Sequence, residues 1–159
     1  MARQQGEKLI ADNRKARHDY FIEERFEAGI VLSGAEVKSL REGRANLKDS
    51  YARISRRGEA FLVGMHISPY GHATHEILEP DRERKLLLHR GELDRLAGKV
   101  RERGFTLVPT RLYFKDGRAK VEIGLGRGKE QRDKRDSIRK AESRREIERV
   151  MKSRARNAR

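Results

Sequence analysis

The chain has 159 residues, of which 39 are Lys or Arg, 25 are Asp or Glu and none is Cys, so its formal net charge is +14. The lack of cysteine excludes disulfides and zinc–thiolate sites, and no apolar run approaches the roughly 20 residues of a membrane-spanning helix. The positive charge predicts a polyanionic partner, above all a nucleic acid.

Residues 1–18 predict a basic N-terminal arm ahead of the folded part of the chain. The arm contains Arg14, Lys15 and Arg17, which can follow an RNA backbone or remain solvated. It lacks the apolar segment of a secretory signal. We therefore expect a cytoplasmic protein with no membrane partner.

Residues 19–126 contain every aromatic side chain and predict the folded domain. A half-buried strand is predicted at 20–26, and a short apolar run follows at 29–32. A short helix is predicted next, because Ser33 stands three residues before Glu36, the spacing of a capping box, and Gly43 can end the helix in a left-handed conformation.

Two hairpins and a second helix follow. The segments 49–55 and 59–67 flank Arg-Arg-Gly and predict the first hairpin. Residues 91–104 predict a helix with one apolar stripe, formed by Leu93, Leu96, Ala97 and Val100. The second hairpin is predicted around Lys115–Gly117, because Asp-Gly favours the positive φ angles of a tight turn.

The last predicted strand has two different faces. Val121, Ile123 and Leu125 point to one side and Lys120 and Glu122 to the other, so one face packs and the other is free to meet a ligand. About six short strands with covering helices predict a mainly β protein. The natural architecture for a basic chain is an OB-fold-like closed antiparallel six-stranded β-barrel with two to three short helices, although periodicity alone leaves other arrangements open.

Several sequence patterns resemble sites with chemistry but fit simpler interpretations. His66, His72, His75 and Glu76 lie close in sequence, but their spacing does not match a pair of metal ligands on a helix. The stretch Gly124–Lys129 lacks the spacing and the Ser or Thr of a phosphate-binding loop. No pattern sets a base beside an acid or a nucleophile, as a ribonuclease would need. We predict no catalysis, no metal and no cofactor.

Residues 127–159 predict a basic tail with 14 basic and 6 acidic residues and no aromatic one. If the tail were one helix, Ile138 and Ile147 would lie on opposite faces, leaving only a small apolar patch of Ile147, Val150 and Met151. Such a segment cannot bury a continuous stripe. It is expected to be disordered when free and helical when bound.

Four segments resemble the SsrA-binding protein family, also called SmpB, in order and spacing: NRKARHDYFIEERFEAGIVLSGAEVKSLREGRANLKDSY, RKLLLHRGELDRL, LYFKDGRAKVEIGLGRGK and DKRDSIR. The resemblance covers nearly the whole chain from about Asn13 onward. It implies a six-stranded OB-type barrel that binds the tRNA-like part of transfer-messenger RNA (tmRNA). The complex would rescue stalled ribosomes by trans-translation, with the tail in the empty mRNA channel, against small-subunit rRNA at the decoding site.

The resemblance also assigns residues. The barrel positions that match RNA contacts are Glu27, Leu87 and Lys120, and the helix motif adds Lys38 and Arg41. Capping is the favoured role for Glu36. In the tail, Asp133, Lys134 and Arg135 match the family's decoding-site motif, preceded by Arg132, where the family commonly has His; Glu130 also stands where a basic residue is usual.

An alternative of a different class is a general basic RNA-binding or ribosomal structural protein whose tail is an electrostatic tether. Under either interpretation we expect a monomer when free. The two interpretations differ in where selectivity resides, in the barrel for the first and in charge alone for the second.

Overall fold

The computed structural model describes residues 6–70, 79–102, 104–129, 142 and 144–154. The chain divides into two compact units, Met1–Gly128 and Lys129–Arg159. In chain order the elements are β1 (Glu7–Asp12), α1 (Arg14–Asp19), β2 (Tyr20–Ile30), α2 (Gly34–Arg41), β3 (Ala45–Asn46), β4 (Tyr51–Ile54), β5 (Ala60–Val63), β6 (His66–Ile67), β7 (Arg84–Leu87), α3 (Arg90–Arg101), β8 (Phe105–Lys115) and β9 (Arg118–Gly128).

Six strands of the first unit close into a barrel. Strands β8, β4, β5, β7, β2 and β9 are hydrogen-bonded in that order, and β9 pairs back to β8. All of these pairs are antiparallel. Strand β1 is added to β8 outside the ring, and β3 with β6 forms a separate two-stranded ribbon. The predicted six-stranded barrel with short helices is confirmed.

The hairpin at Asp116 and Gly117 sets the register of the two longest neighbouring strands. Both residues have positive φ, 50° and 78°, as a two-residue hairpin turn of this kind requires. Lys115 therefore pairs with Arg118, and the strands match residue by residue as far as Arg111 and Glu122, beyond which the register shifts at a β-bulge between Pro109 and Arg111. The predicted turn is confirmed.

The inward side chains of the strands form one apolar core. On β9 the predicted inward residues Val121, Ile123 and Leu125 are all buried, whereas Lys120 and Glu122 remain partly exposed. The same core takes in residues from the other strands of the ring and from α3: Ala28, Ala52, Leu62, Leu86, Leu96, Leu107 and Leu112.

The two predicted helices are confirmed. Ser33 and Glu36 form the capping box of α2, and Gly43 follows with φ of 73°. Helix α3 buries Leu96 completely, and Leu93 packs on the core beside it. Each helix therefore attaches through a short apolar contact and leaves its basic side chains exposed.

The segment predicted as a basic N-terminal arm contains strand β1 and helix α1 from Glu7 onward. Its strand β1 pairs with β8, and helix α1 begins at the N-cap residue Asn13. The side chain of Asn13 is buried and donates to the carbonyl of Pro109 at 2.9 Å. The segment is held because β8 supplies hydrogen-bond partners that a sequence pattern does not reveal.

Strand β9 extends to Gly128, two residues beyond the predicted boundary at 126. In the second unit, residues 144–154 are helical and exposed. Ile147, Val150 and Met151 are 56%, 48% and 66% exposed, so this small apolar patch is open.

Candidate nucleic-acid interface

A row of outward side chains crosses four strands of the barrel. Leu87 on β7 pairs with Gly29 on β2, Gly29 pairs with Lys120 on β9, and Lys120 pairs with Tyr113 on β8. Directly paired residues of antiparallel strands place their side chains on the same face, about 5 Å apart. The row therefore places the exposed Leu87 and the cation of Lys120 on one face, beside the buried Tyr113.

A shallow depression of about 530 Å³ opens on this face and is lined by Glu27, Gly29, Leu87, Leu88, His89, Glu92 and Lys120. Three of the lining residues, Glu27, Leu87 and Lys120, are the barrel positions singled out from the sequence. They lie 60 and 33 residues apart along the chain. The barrel brings them together, and we name this depression with its lining the β2–β9 face.

Two side chains of strand β8 hold the carboxylate of Glu27. The hydroxyl of Tyr113 donates to Oε2 at 2.7 Å, and the Lys115 ammonium lies 3.3 Å from the same atom. The hydrogen bond from Tyr113, followed by the charge of Lys115, keeps the pKa of Glu27 below its usual value. Glu27 is thus an ionised acceptor on an otherwise basic protein.

Leu87 is exposed over 54% of its surface although it is apolar. Its neighbour across the strands is Gly29, and a Cβ atom added there would stand 3.3 Å from the Cβ of Leu87. Glycine therefore leaves the side of Leu87 open and lowers the floor of the depression. An exposed leucine beside a charged strand is suited to contact the face of a base or a ribose.

A second polar groove adjoins the β2–β9 face and shares Glu27 with it. Arg111 donates to the Glu122 carboxylate at 2.8 Å, and Arg25 lies 3.8 Å from the other oxygen. Thr110 also donates to Glu122 at 2.9 Å. The hydrogen bond to Glu122 thus holds the Arg111 guanidinium at the surface, and the Arg25 guanidinium lies nearby.

Helix α2 places Lys38 and Arg41 outside the lining of the depression. Both side chains are exposed, and the Lys38 ammonium lies 5.5 Å from the centre of the Tyr70 ring. The buried Glu36 forms the N-terminal capping box of this helix with Ser33 and so fixes the orientation of the helix. The structure therefore gives these two cations a separate location from that of Lys120.

Glu36 is both a cap and one half of a buried ion pair. Arg84, 1% exposed, donates to Glu36 at 2.6 Å and to the carbonyls of Met65 and Pro80 at 2.8 and 2.9 Å. Burial opposes ionisation of Glu36, but hydrogen bonds from Arg82, the Ser33 amide and Arg84 outweigh it, so its pKa lies below the usual value. The capping role favoured from the sequence is confirmed, and the ion pair is an addition.

Sequence reasoning missed Tyr113, Lys115 and Arg84. The first two could have been found, because the predicted two-residue turn fixes Tyr113 opposite Lys120. Arg84 lies in a run of charged residues, a pattern typical of a solvent-exposed segment. Only the barrel structure shows that Arg84 is buried. Arg132, Asp133, Lys134 and Arg135 lie outside the described residues, as do Glu130, Ile138, His72, His75 and Glu76.

Basic residues of the predicted N-terminal arm form ion pairs with acidic side chains. Lys15 lies 2.7 Å from Asp49 and Arg17 lies 2.5 Å from Asp12. His66 is 2.9 Å from Asp81. In the part of the chain that the structure describes, no group of three or more His, Asp or Glu side chains is placed to hold a metal ion, and no helix there is long and apolar enough to cross a membrane.

The side chains of this face have the chemistry to contact RNA. Lys120 and Lys115 can meet phosphates as point charges. Glu27 can only accept hydrogen bonds, from base amino groups or ribose hydroxyls. Leu87 adds apolar contact. These groups place a hydrogen-bond acceptor, an apolar side chain and a cation on one face.

Comparisons with known proteins agree with this description. The family model described as SmpB protein matches residues 10–153. The SsrA-binding protein of Syntrophobacter fumaroxidans is 60% identical over 147 residues, covering 92% of this chain and 91% of that protein. The SsrA-binding protein of Pelobacter propionicus is 57% identical over 151 residues, covering 95% and 99%.

One solved structure extends the similarity to three dimensions. It is described as "tmRNA-SmpB: a journey to the center of the bacterial ribosome". The matching chain is 48% identical, with a TM-score of 0.65, over 81% of this chain and 94% of the other.

Proposed function

Because the chain belongs to the SmpB family of SsrA-binding proteins, we propose that it binds the tRNA-like domain of tmRNA, the SsrA RNA, and delivers it to stalled ribosomes. In this function the protein is an adaptor for trans-translation and carries out no reaction itself. Its partners are tmRNA and the ribosome, which implies a cytoplasmic location.

The observation that carries the proposal is the convergence of Glu27, Leu87 and Lys120 on the β2–β9 face. A protein that held RNA by charge alone would gain nothing from an ionised carboxylate on its RNA-binding face, because that carboxylate repels phosphates. The same carboxylate is useful if it accepts hydrogen bonds from RNA at a defined position. This favours selective binding over the alternative of a general basic protein with a tether.

We assign the two units different tasks. The barrel holds the tRNA-like domain through Glu27, Leu87 and Lys120. Lys38 and Arg41 on α2 lie apart from that face and would meet either RNA or the ribosome. The tail, with Arg132, Asp133, Lys134 and Arg135, would occupy the decoding site and the mRNA channel when message is absent.

Arg132 bears on this second task. A guanidinium can stack on a base as an imidazole does, and it keeps its charge at every physiological pH. If stacking is what the family's His contributes there, Arg132 preserves it. A role that required the imidazole of that His to gain or lose a proton would be lost with Arg132.

A reconstituted tagging reaction tests the function. Ribosomes stalled on a message without a stop codon are supplied with alanyl-tmRNA and the purified chain, and addition of the tag peptide is measured. We expect tagging with the native chain, and loss of tagging with RNA affinity retained when Asp133, Lys134 and Arg135 are all changed to Ala. If the native chain supports no tagging, or if affinity and tagging fall together, the assignment of separate tasks is wrong.

A further inference from the structure

A further cavity lies between helix α1, the start of strand β4 and strand β8. It has a volume of about 310 Å³, and its lining includes Lys15, Ala16, Tyr20, Asp49, Tyr51 and Val108. None of its lining residues lines the β2–β9 face or the polar groove beside that face. We call this cavity, with those six residues, the Tyr51 pocket.

The Tyr51 pocket has an apolar floor and an exposed aromatic ring. Ala16 and Val108 are buried. Tyr51 is 45% exposed. Within the described residues, its side chain takes part in no hydrogen bond and no cation lies over its ring. An apolar cavity beside such a ring is suited to a flat aromatic ligand.

The rim of the pocket carries a hydrogen-bond donor and an acceptor next to each other. The Lys15 ammonium lies 2.7 Å from Oδ1 of Asp49. This hydrogen bond, followed by the opposite charge, raises the pKa of Lys15 and lowers the pKa of Asp49, so both groups are charged at physiological pH. The two side chains are 51% and 67% exposed. Further ammonium hydrogens and the second carboxylate oxygen can therefore reach a ligand.

Hydrogen bonds fix the frame of the pocket. The buried Asn13 donates to the carbonyls of Pro109 and Leu47 at 2.9 and 3.4 Å. Its side-chain oxygen accepts from the amide of Ala16 at 3.2 Å. These bonds tie α1 to β8 and to the segment that precedes Asp49. A frame that is fixed before binding lowers the entropy cost of holding a ligand.

We propose that the Tyr51 pocket binds a guanine base, with its ring stacked on Tyr51 and its Watson–Crick edge at the Lys15–Asp49 pair. Guanine presents two neighbouring nitrogen donors beside a carbonyl acceptor. The carboxylate can accept from N1–H and N2–H while the ammonium donates to O6. Adenine, cytosine and uracil each offer a carboxylate only one nitrogen donor on this edge, so guanine gains a hydrogen bond over them.

The guanine can belong to a free nucleotide or to an unpaired guanosine of RNA. A paired guanine does not fit, because its Watson–Crick edge is occupied and its faces are covered by the neighbouring bases. The pocket shares no residue with the surface assigned to the tRNA-like domain. The proposal therefore does not depend on the function proposed above.

The test measures binding of GMP and UMP to the full chain by isothermal titration calorimetry. The two nucleotides carry the same phosphate, so charge alone predicts equal affinities. We expect GMP to bind at least about fivefold more tightly. Asp49→Asn should remove this preference, because an amide replaces one carboxylate oxygen by a donor. Asn tolerates the positive φ of 61° at this position, so the backbone is kept.

Further variants separate stacking from charge. Tyr51→Leu removes the π face and should lower affinity for both nucleotides roughly tenfold, whereas Tyr51→Phe should stay within about twofold of the native chain. Asp94→Asn is the matched charge control. Asp94 is also exposed and lies 3.4 Å from Arg90 on helix α3. Its replacement should leave both the affinity and the guanine preference unchanged.

Two short RNA strands identify the source of the guanine. One is an oligouridine, and the other has the same length with a single central guanosine. If unpaired RNA is the ligand, the guanosine raises the affinity of the strand by at least the factor that separates GMP from UMP. If a free nucleotide is the ligand, the strand gains nothing from its guanosine. Either result, with the preference lost in Asp49→Asn, supports the pocket.

Three results would overturn the proposal. The first is equal affinity for GMP and UMP together with equal affinity for the two strands. The second is a guanine preference that survives Asp49→Asn, and the third is an equal loss from Asp94→Asn. If a variant fails to fold, NMR of the isotope-labelled native chain decides the question. Added GMP should shift the amide signals of Asp49, Ser50 and Tyr51, and shifts confined to other segments contradict the proposal.

Discussion

The hydroxyl of Tyr113 donates a hydrogen bond of 2.7 Å to the carboxylate of Glu27, 86 residues earlier in the chain. Tyr113 is 3% exposed, whereas more than a third of the Glu27 side chain is open to solvent. A buried residue thus orients an exposed one. The pKa of Tyr113 is raised by burial and by this carboxylate, so the phenol remains a donor at physiological pH.

Replacing Tyr113 with Phe should weaken RNA binding without unfolding the barrel. The change deletes one hydrogen bond and keeps the ring, so we expect a loss of about 1 kcal/mol in the free energy of unfolding. Glu27 becomes mobile, and affinity for the tRNA-like domain should fall roughly fivefold. Urea denaturation and filter binding measure the two effects. Unchanged affinity would show that the orientation of Glu27 does not matter.

Replacing Glu36 with Ala should be among the most destabilising single changes in the barrel. It leaves the buried guanidinium of Arg84 without its carboxylate, and loss of one partner of a buried pair costs about 3–5 kcal/mol. The control is Glu83→Ala, which removes an exposed partner of Arg53 and should barely move the urea midpoint. Similar midpoints for the two variants would contradict the assigned role of the Arg84–Glu36 pair.

The same carboxyl predicts how stability depends on pH. Its pKa in the folded protein lies below the ordinary value of 4.5 expected in the unfolded chain. The stabilisation it provides is therefore complete above that ordinary value and is lost as pH falls through the lower folded-state pKa. Urea midpoints measured across acidic pH should fall more steeply for the native chain than for Glu36→Gln. Parallel curves would disprove this contribution.

Replacing glycine with alanine should have opposite effects on stability at Gly117 and at Gly98. Gly117 has φ of 78°, so Gly117→Ala forces a side chain into the left-handed region and should cost about 1 kcal/mol. Gly98 lies inside helix α3 with nothing within 4 Å of an added Cβ, so Gly98→Ala should stabilise the protein by about 0.5–1 kcal/mol. Thermal melts compare them. A gain in stability for Gly117→Ala would contradict the proposed role of the turn.

Local signals predicted much of the barrel. The Asp116–Gly117 turn, the capping box of Ser33 and Glu36, and the alternation in 121–125 each depend on residues near one another in sequence. Their structural consequences are therefore visible without the fold. The same turn fixes the pairing of Tyr113 with Lys120.

Other features depend on contacts between distant residues. Strand β1 and helix α1 exist because Asn13 and the edge of β8 meet, 96 residues apart. Arg84 is buried because Glu36 and two carbonyls reach it from three other segments. The residues of the β2–β9 face were identified by resemblance, and their convergence required the closed ring of strands.

Competition binding tests the central claim most directly. The full chain is titrated with labelled tmRNA against unlabelled ordinary tRNA at physiological salt, and the native protein is compared with Lys120→Ala, with Arg118→Ala and with the triple alanine change at 133–135. Arg118 is the charge control, since it lies at the start of the same strand, next to the hairpin turn. We predict selective binding of tmRNA that Lys120→Ala lowers and that the other two changes leave nearly intact. Equal affinity for both RNAs, or losses that follow the charge removed regardless of position, would contradict the account.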